Sequence, residues 1–476
     1  MKNKFSKILV AFMALVMLAG CSQEYLDEPQ PTDGVSSAVV FTSRKGVEAF
    51  ISGIMRRFRA QYTATDSGGL NSIFFARSVK GNDLPHAPTW FTFDYGQENR
   101  EPTYRRVSFT WNYCFYMVNQ ANTLINGVES SSLSTSDKKE LAAYGYALRG
   151  FFYHQLVMEF APTYSFDLNY PAPPIYTGLS LTGNPMSTVK DVYALIVSDL
   201  TKAVDGLKDT RLGKSYINKS VANGILAQVY QVMGNWAGAE TAAIAAYGGV
   251  PASVLSPSTY RSGFNDYSSV EWIWGSAQTA DQTNYYYGFP HVGTDHTVGG
   301  YLSTYVNVNF VNLFSTTDVR GYFQRKSLSI TSLSDYRYWF TRKFAFSFDA
   351  DHPIIRTPEM ILIEVEAKYN LGRITEAGDL LYTLQKNRDV SAVKSTNTGS
   401  AFLEEILVER RKELYGEIGV EWFDAKRLRR GITRTGNHRI LAAGSLTADD
   451  KKFFLKIPQA EIDANDFIDD SVNANR

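Results

Sequence analysis

The sequence has few of the groups on which enzyme chemistry is usually built. Its 476 residues contain two cysteines, Cys21 and Cys114, which excludes a disulfide framework and a cysteine-rich zinc module. Six histidines are scattered at His86, His154, His291, His296, His352 and His438. Only His291 and His296 lie close, and a five-residue gap in a glycine-rich loop is a poor metal-ligand spacing. There is no G-x-S-x-G elbow, H-E-x-x-H helix, Walker A loop or G-x-G-x-x-G turn. Charge of one sign is lacking too. The 48 basic residues equal the 48 acidic ones, which argues against a nucleic-acid partner. Beyond Ala19 no apolar run reaches the ~20 residues that a membrane-spanning helix requires. No cofactor and no metal is expected.

What the chain does have is aromatic side chains, 29 Tyr, 29 Phe and 7 Trp, enough to supply both a core and a binding surface. It also has an address. Lys2, Lys4 and Lys7 precede an unbroken apolar run from Ile8 to Ala19, and Leu18-Ala19-Gly20-Cys21 matches the bacterial lipobox. The reading is a signal peptide over 1–20, cleaved before Cys21, whose thiol is acylated and anchors the chain by buried acyl chains. Cleavage removes three lysines and no acid, so the mature chain is net −3. The polar segment 21–41, with Pro29 and Pro31, reads as a lipidated tether. Cys114, between Tyr113 and Phe115, reads as a small buried hydrophobe.

Apolar residues recur at helical spacing over Lys45–Tyr62, Thr110–Val128, Ser136–Glu159, Val189–Leu207, Lys219–Met233, Trp236–Tyr247, Pro358–Leu371, Ile374–Arg388 and Phe402–Tyr415. Ser134, with Asp137, and either Ser187 or Thr188 stand where N-caps belong. Ala227, Tyr230, Gly234, Trp236, Ala239 and Ala246 reproduce the tetratricopeptide spacing of two helices joined at a glycine, and Gly372 with Ala377 marks a looser copy. These are packing positions. Between about 250 and 351 the texture changes: Val270–Trp274 alternates like a short strand, and 281–309 is rich in Tyr, Gly, Asn and Thr without helical period. The predicted architecture is mainly α, a tetratricopeptide-like scaffold whose irregular, short-strand region carries the ligand site. It divides into a helical region over 42–250 and a C-terminal region over 251–476.

Three motifs then point to a family. Pro358–Ala377 (PEMILIEVEAKYNLGRITEA), Glu409–Leu428 (ERRKELYGEIGVEWFDAKRL) and Ile457–Asn465 (IPQAEIDAN) occur in order. Trp111–Asn122, Tyr146–Phe152 and Thr317-Asp318-Val319-Arg320 precede them. In these segments the chain resembles the SusD/RagB family, over essentially its whole mature length. It departs at Val420-Glu421, where a basic residue is usual. The resemblance implies a surface lipoprotein of a Bacteroidetes-type bacterium that sits on a SusC-like TonB-dependent outer-membrane transporter and captures glycans, or in some members peptides. Ser22-Gln23-Glu24 resembles the signal that routes such proteins to the cell surface. Glu409, Arg410, Arg411, Glu413, Trp422 and Asp424 are expected to hold the body together.

A sugar ring offers an apolar C–H face and a rim of hydroxyls, so its site needs exposed aromatic faces beside amide, carboxylate or guanidinium groups. Two loops carry that mixture. The first runs from Asn82 and Asp83 through Trp90, Phe93 and Tyr95 to Arg100, and Pro85 and Pro88 keep it out of a helix. The second holds Tyr285, Tyr286 and Tyr287 and continues to Tyr301 and Tyr305. Trp111, Trp272 and Trp274 are assigned to the core. The leading expectation is a non-catalytic oligosaccharide-binding lipoprotein. A peptide-binding member of the same family is the second reading. A surface glycoside hydrolase is the third, since its two carboxylates need only meet in space.

Overall fold

The computed structural model describes residues 37–58, 64–278, 289–295, 297 and 301–476. The signal segment, Cys21 and the tether up to residue 36, the tyrosines Tyr285, Tyr286 and Tyr287, and His296 lie outside the described residues.

The architecture is mainly α. Helix α1, Arg44–Arg56, begins where Ser43 Oγ accepts the Gly46 N–H, and it buries Val47, Ile51 and Ile54. Helix α2, Leu70–Ser78, is buried on nearly every side. The scaffold proper is a run of long helices, each packed on its predecessor: α3, Arg105–Glu129; α4, Thr135–Phe160; α5, Val189–Gly206; α6, Lys219–Met233; and α7, Trp236–Tyr247. Ser134 and Thr188 cap α4 and α5 as expected, accepting the N–H groups of Asp137 and Asp191. Close approach of α4 and α5 rests on Gly150, where a Cβ would come within 2.9 Å of Leu200 Cγ. The α6–α7 turn is the tetratricopeptide joint: Gly234 ends α6 at φ +70, and Ala227, Ala239 and Ala246 are buried between the helices.

The chain then leaves the array and returns at α8, Thr357–Asn370, which packs directly on α7. Next come α9, Ile374–Arg388, and α10, Gly399–Leu414. The helical stack is therefore continuous in space although segment 248–356 interrupts it in sequence, and helices from both sides of residue 250 share one core. Helices α11, Val420–Arg427, and α12, Gln459–Ala464, close the fold.

Strands are short and paired. Strand β1, Pro171–Ala172, joins β2, Ser187–Thr188; β3, Trp272–Ser276, joins β6, His352–Arg356; and β4, Phe323–Arg325, joins β5, Trp339–Thr341, all antiparallel. Alternation located β3, and Trp272 and Trp274 are in the core as expected. Every residue of the strand is buried, because the array covers one side and segment 260–264 with Phe344 the other.

Buried charges tie the C-terminal helices to the irregular segment before them. Glu413 on α10 accepts hydrogen bonds from Arg320 at 3.2 Å, Arg356 at 3.0 Å and Arg388 at 3.0 and 3.1 Å. These three guanidiniums hold its carboxyl well below the ordinary range against the cost of burial. Arg410 pairs with Asp424 at 2.8 Å, and Trp422 is buried. The family-signature side chains thus hold helix to loop.

Candidate functional site

The two loops singled out by composition are stitched together. The N–H of Tyr305 donates to Pro85 O at 2.9 Å, that of Ala87 to Ser303 O at 2.8 Å, and that of Asn307 to Asp83 O at 3.0 Å. His86 Nδ1 lies 3.0 Å from Thr304 Oγ1. Pro85 has no N–H, so it serves this ladder through its carbonyl alone. The pairing is antiparallel, and it brings Trp90 and Tyr301 together at its end.

Their rings are nearly parallel, with centroids 5.7 Å apart and planes 15° from each other, an offset stack. Both are half-buried. Phe289 meets the edge of Trp90 at 6.0 Å, and Phe75, Phe91 and Phe289 form the packed layer beneath. Phe93 is 56 % exposed, on the one-turn helix Thr92–Tyr95. That turn was not foreseen, since it starts only after both prolines.

The other candidates take different places. Tyr95 is a correction: it is fully buried, its hydroxyl lies 2.9 Å from His438 Nδ1, and the Arg434 and Arg439 guanidiniums sit 4.0 and 4.8 Å from its ring centre. No face remains for a ligand. Asp83 is buried and its carboxylate is held by Arg411 Nε at 3.1 Å, so it anchors the loop. Asn82 spends its amide in the same way: its carbonyl oxygen accepts the Thr435 N–H at 2.8 Å and Asn307 Nδ2 at 3.1 Å. Arg100 turns to the carbonyls of Lys451 and Phe454 at 3.2 and 3.3 Å, outside the Trp90 cluster. Tyr305 is buried as well. His291, of the weak His pair, is buried with Nε2 2.6 Å from Phe264 O.

Composition passed over the supports. Segment 434–439 underlies the first loop: Arg434 donates to Val79 O at 2.9 Å and Gly81 O at 3.1 Å, Arg439 to His86 O at 2.6 Å, and His438 Nε2 meets Asn82 O at 2.9 Å. Burial, with nearby guanidiniums, lowers His86 and His438 to about 3, so both are neutral. Glu421, at the family departure, accepts the Asn82 N–H at 2.6 Å. Burial and the Asp83 carboxylate push it up to about 7. The only sequence signal for these supports was the turn-rich run Thr433–Gly436, which carries no aromatic residue or period. Among the described residues the arrangement offers no nucleophile–base pair. Its chemistry is that of a flat aromatic face on a rigid, hydrogen-bonded base.

Comparison with known proteins agrees with this architecture. One family model, described as "Starch-binding associating with outer membrane", matches residues 24–231, and another, described as "SusD family", matches residues 347–473. The chain belongs to the SusD family. A SusD-like protein of Bacteroides ovatus is 26% identical over 240 residues, which is 48% of this chain and 40% of that relative's length. A SusD-like carbohydrate binding protein of Bacteroides vulgatus shares the fold with a TM-score of 0.82 at 24% identity, covering 90% of this chain and 97% of the other. Surface glycan-binding protein A of Bacteroides thetaiotaomicron, in complex with laminarihexaose, superposes with a TM-score of 0.68 at 16% identity over 89% and 98% of the two chains. The SusD family is associated with the outer membrane, and no helix among the described residues is long and apolar enough to cross one.

Proposed function

We propose that this chain is a cell-surface lipoprotein that captures an oligosaccharide on the Trp90–Tyr301 face and passes it to a SusC-like TonB-dependent outer-membrane transporter, without chemistry of its own. The observation that carries the reading is the stack itself. Two half-exposed aromatic rings, more than 200 residues apart in sequence, are held parallel by a backbone ladder and a guanidinium-braced base. A preformed flat face suits the C–H side of a pyranose, and little conformational entropy is lost when a ligand stacks on it. Family membership supports a glycan as ligand, and the laminarihexaose bound by one fold neighbour supports a short oligosaccharide.

Calorimetric titration of the mature protein with maltohexaose, laminarihexaose, cellohexaose and mannohexaose tests the reading. Binding of at least one without release of shorter sugars is expected. Saturable binding of peptides alone would move the chain to the peptide-binding reading, and turnover abolished by mutating one Asp or Glu would make it a hydrolase. The anchor is tested separately. Cys21→Ala should release the protein from membranes of a strain lacking the transporter.

A further inference from the structure

A second groove combines aromatic faces with amides, and it shares no residue with the Trp90–Tyr301 cluster. It runs along α3 and encloses about 370 Å³, inside the roughly 300–1,000 Å³ usual for small-ligand pockets. Its floor is Phe115 and Tyr176, which meet edge to face at 5.8 Å. One wall is a helix stripe, Asn112, Tyr116 and Asn119, spaced i, i+4 and i+7 so that all three share a face. The other wall is the 178–180 loop with Glu461 of α12.

The walls are braced from behind. The Tyr176 N–H donates to Tyr153 Oη at 2.6 Å, its carbonyl accepts Asn122 Nδ2 at 3.0 Å, and its hydroxyl accepts the Asn184 N–H at 2.9 Å. Glu461 accepts Trp111 Nε1 at 3.1 Å and Asn465 Nδ2 at 2.9 Å. The amides at the front are unspent: Asn112 and Asn119 are exposed, with no hydrogen-bond partner for either side chain among the described residues, while Tyr116 is 37 % exposed and carries the Arg57 guanidinium 5.8 Å from its ring centre. An aromatic floor rimmed by free amide donors and acceptors matches the two faces of a sugar. The Glu461 carboxylate at the edge disfavours an acidic one.

We infer that this groove is a second carbohydrate subsite, taking a short stretch of a neutral oligosaccharide. Asn112 and Asn119 would meet its hydroxyls, and Tyr116 and Tyr176 would lie against its rings. The inference rests on the glycan-binding reading and extends it. Two sites on one rigid body raise the effective concentration of a long chain at each, so polysaccharide is retained beyond either site's own affinity.

The test uses the mature protein and the same four hexasaccharides, with a Trp90→Ala variant and a Tyr116→Ala/Asn119→Ala pair whose positions are exposed. Thermal melts check that each variant folds. Trp90→Ala should keep weak binding of the preferred hexasaccharide, and adding the pair should lower that residual affinity tenfold or more. Made alone, the pair should leave the tight hexasaccharide site unchanged while weakening retention of the parent polysaccharide. If Trp90→Ala abolishes all binding, or the pair leaves the residual unchanged, the groove is not a subsite although the Trp90 face stands. If Trp90→Ala changes nothing and the pair abolishes binding, the groove stands and the Trp90 face falls. Failure of the wild type to bind any hexasaccharide overturns both.

Discussion

The helical array and the aromatic-loop block solve the same problem in different ways. In the array, backbone N–H and C=O groups are paired inside each helix, so buried positions are free to be apolar: Val221, Ile225, Ala239, Ala243, Ile361 and Ile363 are all fully buried. In the loop block the backbone pairs only in stretches such as the 83–87 and 303–307 ladder, and buried side chains serve carbonyls that the ladder leaves over. Arg434 serves the carbonyls of Val79 and Gly81, Arg439 that of His86, and Lys343 Nζ those of Glu413 and Tyr415 at 3.0 Å each. Arg356 and Lys343 are buried while donating to such carbonyls, whereas the equally buried Arg320 and Arg388 spend their guanidiniums on side chains, chiefly carboxylates. A rigid loop surface needs buried cations. Buried cations in turn need Glu271, Glu409, Glu413 and Glu417.

The comparison breaks most sharply at Glu413. Glu413→Gln leaves three buried arginines short of an anion, and a loss of about 3–5 kcal/mol is expected, measured by denaturant unfolding. A cost under 1 kcal/mol would mean the cluster is not what holds loop to array. Arg434→Met strips donors from two buried carbonyls, each worth about 1–3 kcal/mol when left unpaired. Because those carbonyls lie just before the first loop, this variant should also weaken glycan binding, which a substitution within the array should not.

Acid should act on the loop base in a defined direction. His86 and His438 are held neutral with their pKa lowered to about 3. Their contribution is therefore complete above the unfolded value of about 6.5 and is lost as pH falls below it, by up to about 1.4 kcal/mol per unit for fully buried His86. Glu421, raised to about 7, has the opposite sign: its contribution is complete below about 4.5 and is lost as pH rises through 7. His438→Gln should reduce the acid slope of stability between pH 6.5 and 4.5. An unchanged slope would show that His438 is not held neutral there. The array supplies the smallest effect. Gly234→Ala places a Cβ in open space at φ +70, so only backbone strain is at stake, about 1 kcal/mol.

The same contrast decides what could be read from sequence. Helices α7 and α9 have the expected bounds because an array helix with one buried face writes its period into the chain, and α6, buried on most sides, is bounded instead by the Asn218 cap and left-handed Gly234. Helix α2 has no exposed face and therefore no period, and it went unseen. So did α11, which is short, buried throughout its interior, and entered from left-handed Gly419. For the site, composition located the Trp90 and Tyr301 loops, because exposed aromatics among amides are unusual enough to notice. It could not separate Trp90 from Tyr95, five residues away in the same loop. That difference is made by Arg434, His438 and Arg439, which arrive from the far end of the chain. Long-range pairing of irregular segments leaves no periodic trace.

The central claim is that the Trp90–Tyr301 pair is a binding face rather than a piece of core. The most direct measurement is affinity beside melting temperature for Trp90→Ala and Tyr301→Ala, using the hexasaccharide that the wild type binds best. The account predicts affinity weaker by roughly tenfold or more, about 1.4 kcal/mol, with little change in melting temperature. A large fall in melting temperature with affinity unchanged would contradict it and return both rings to the core.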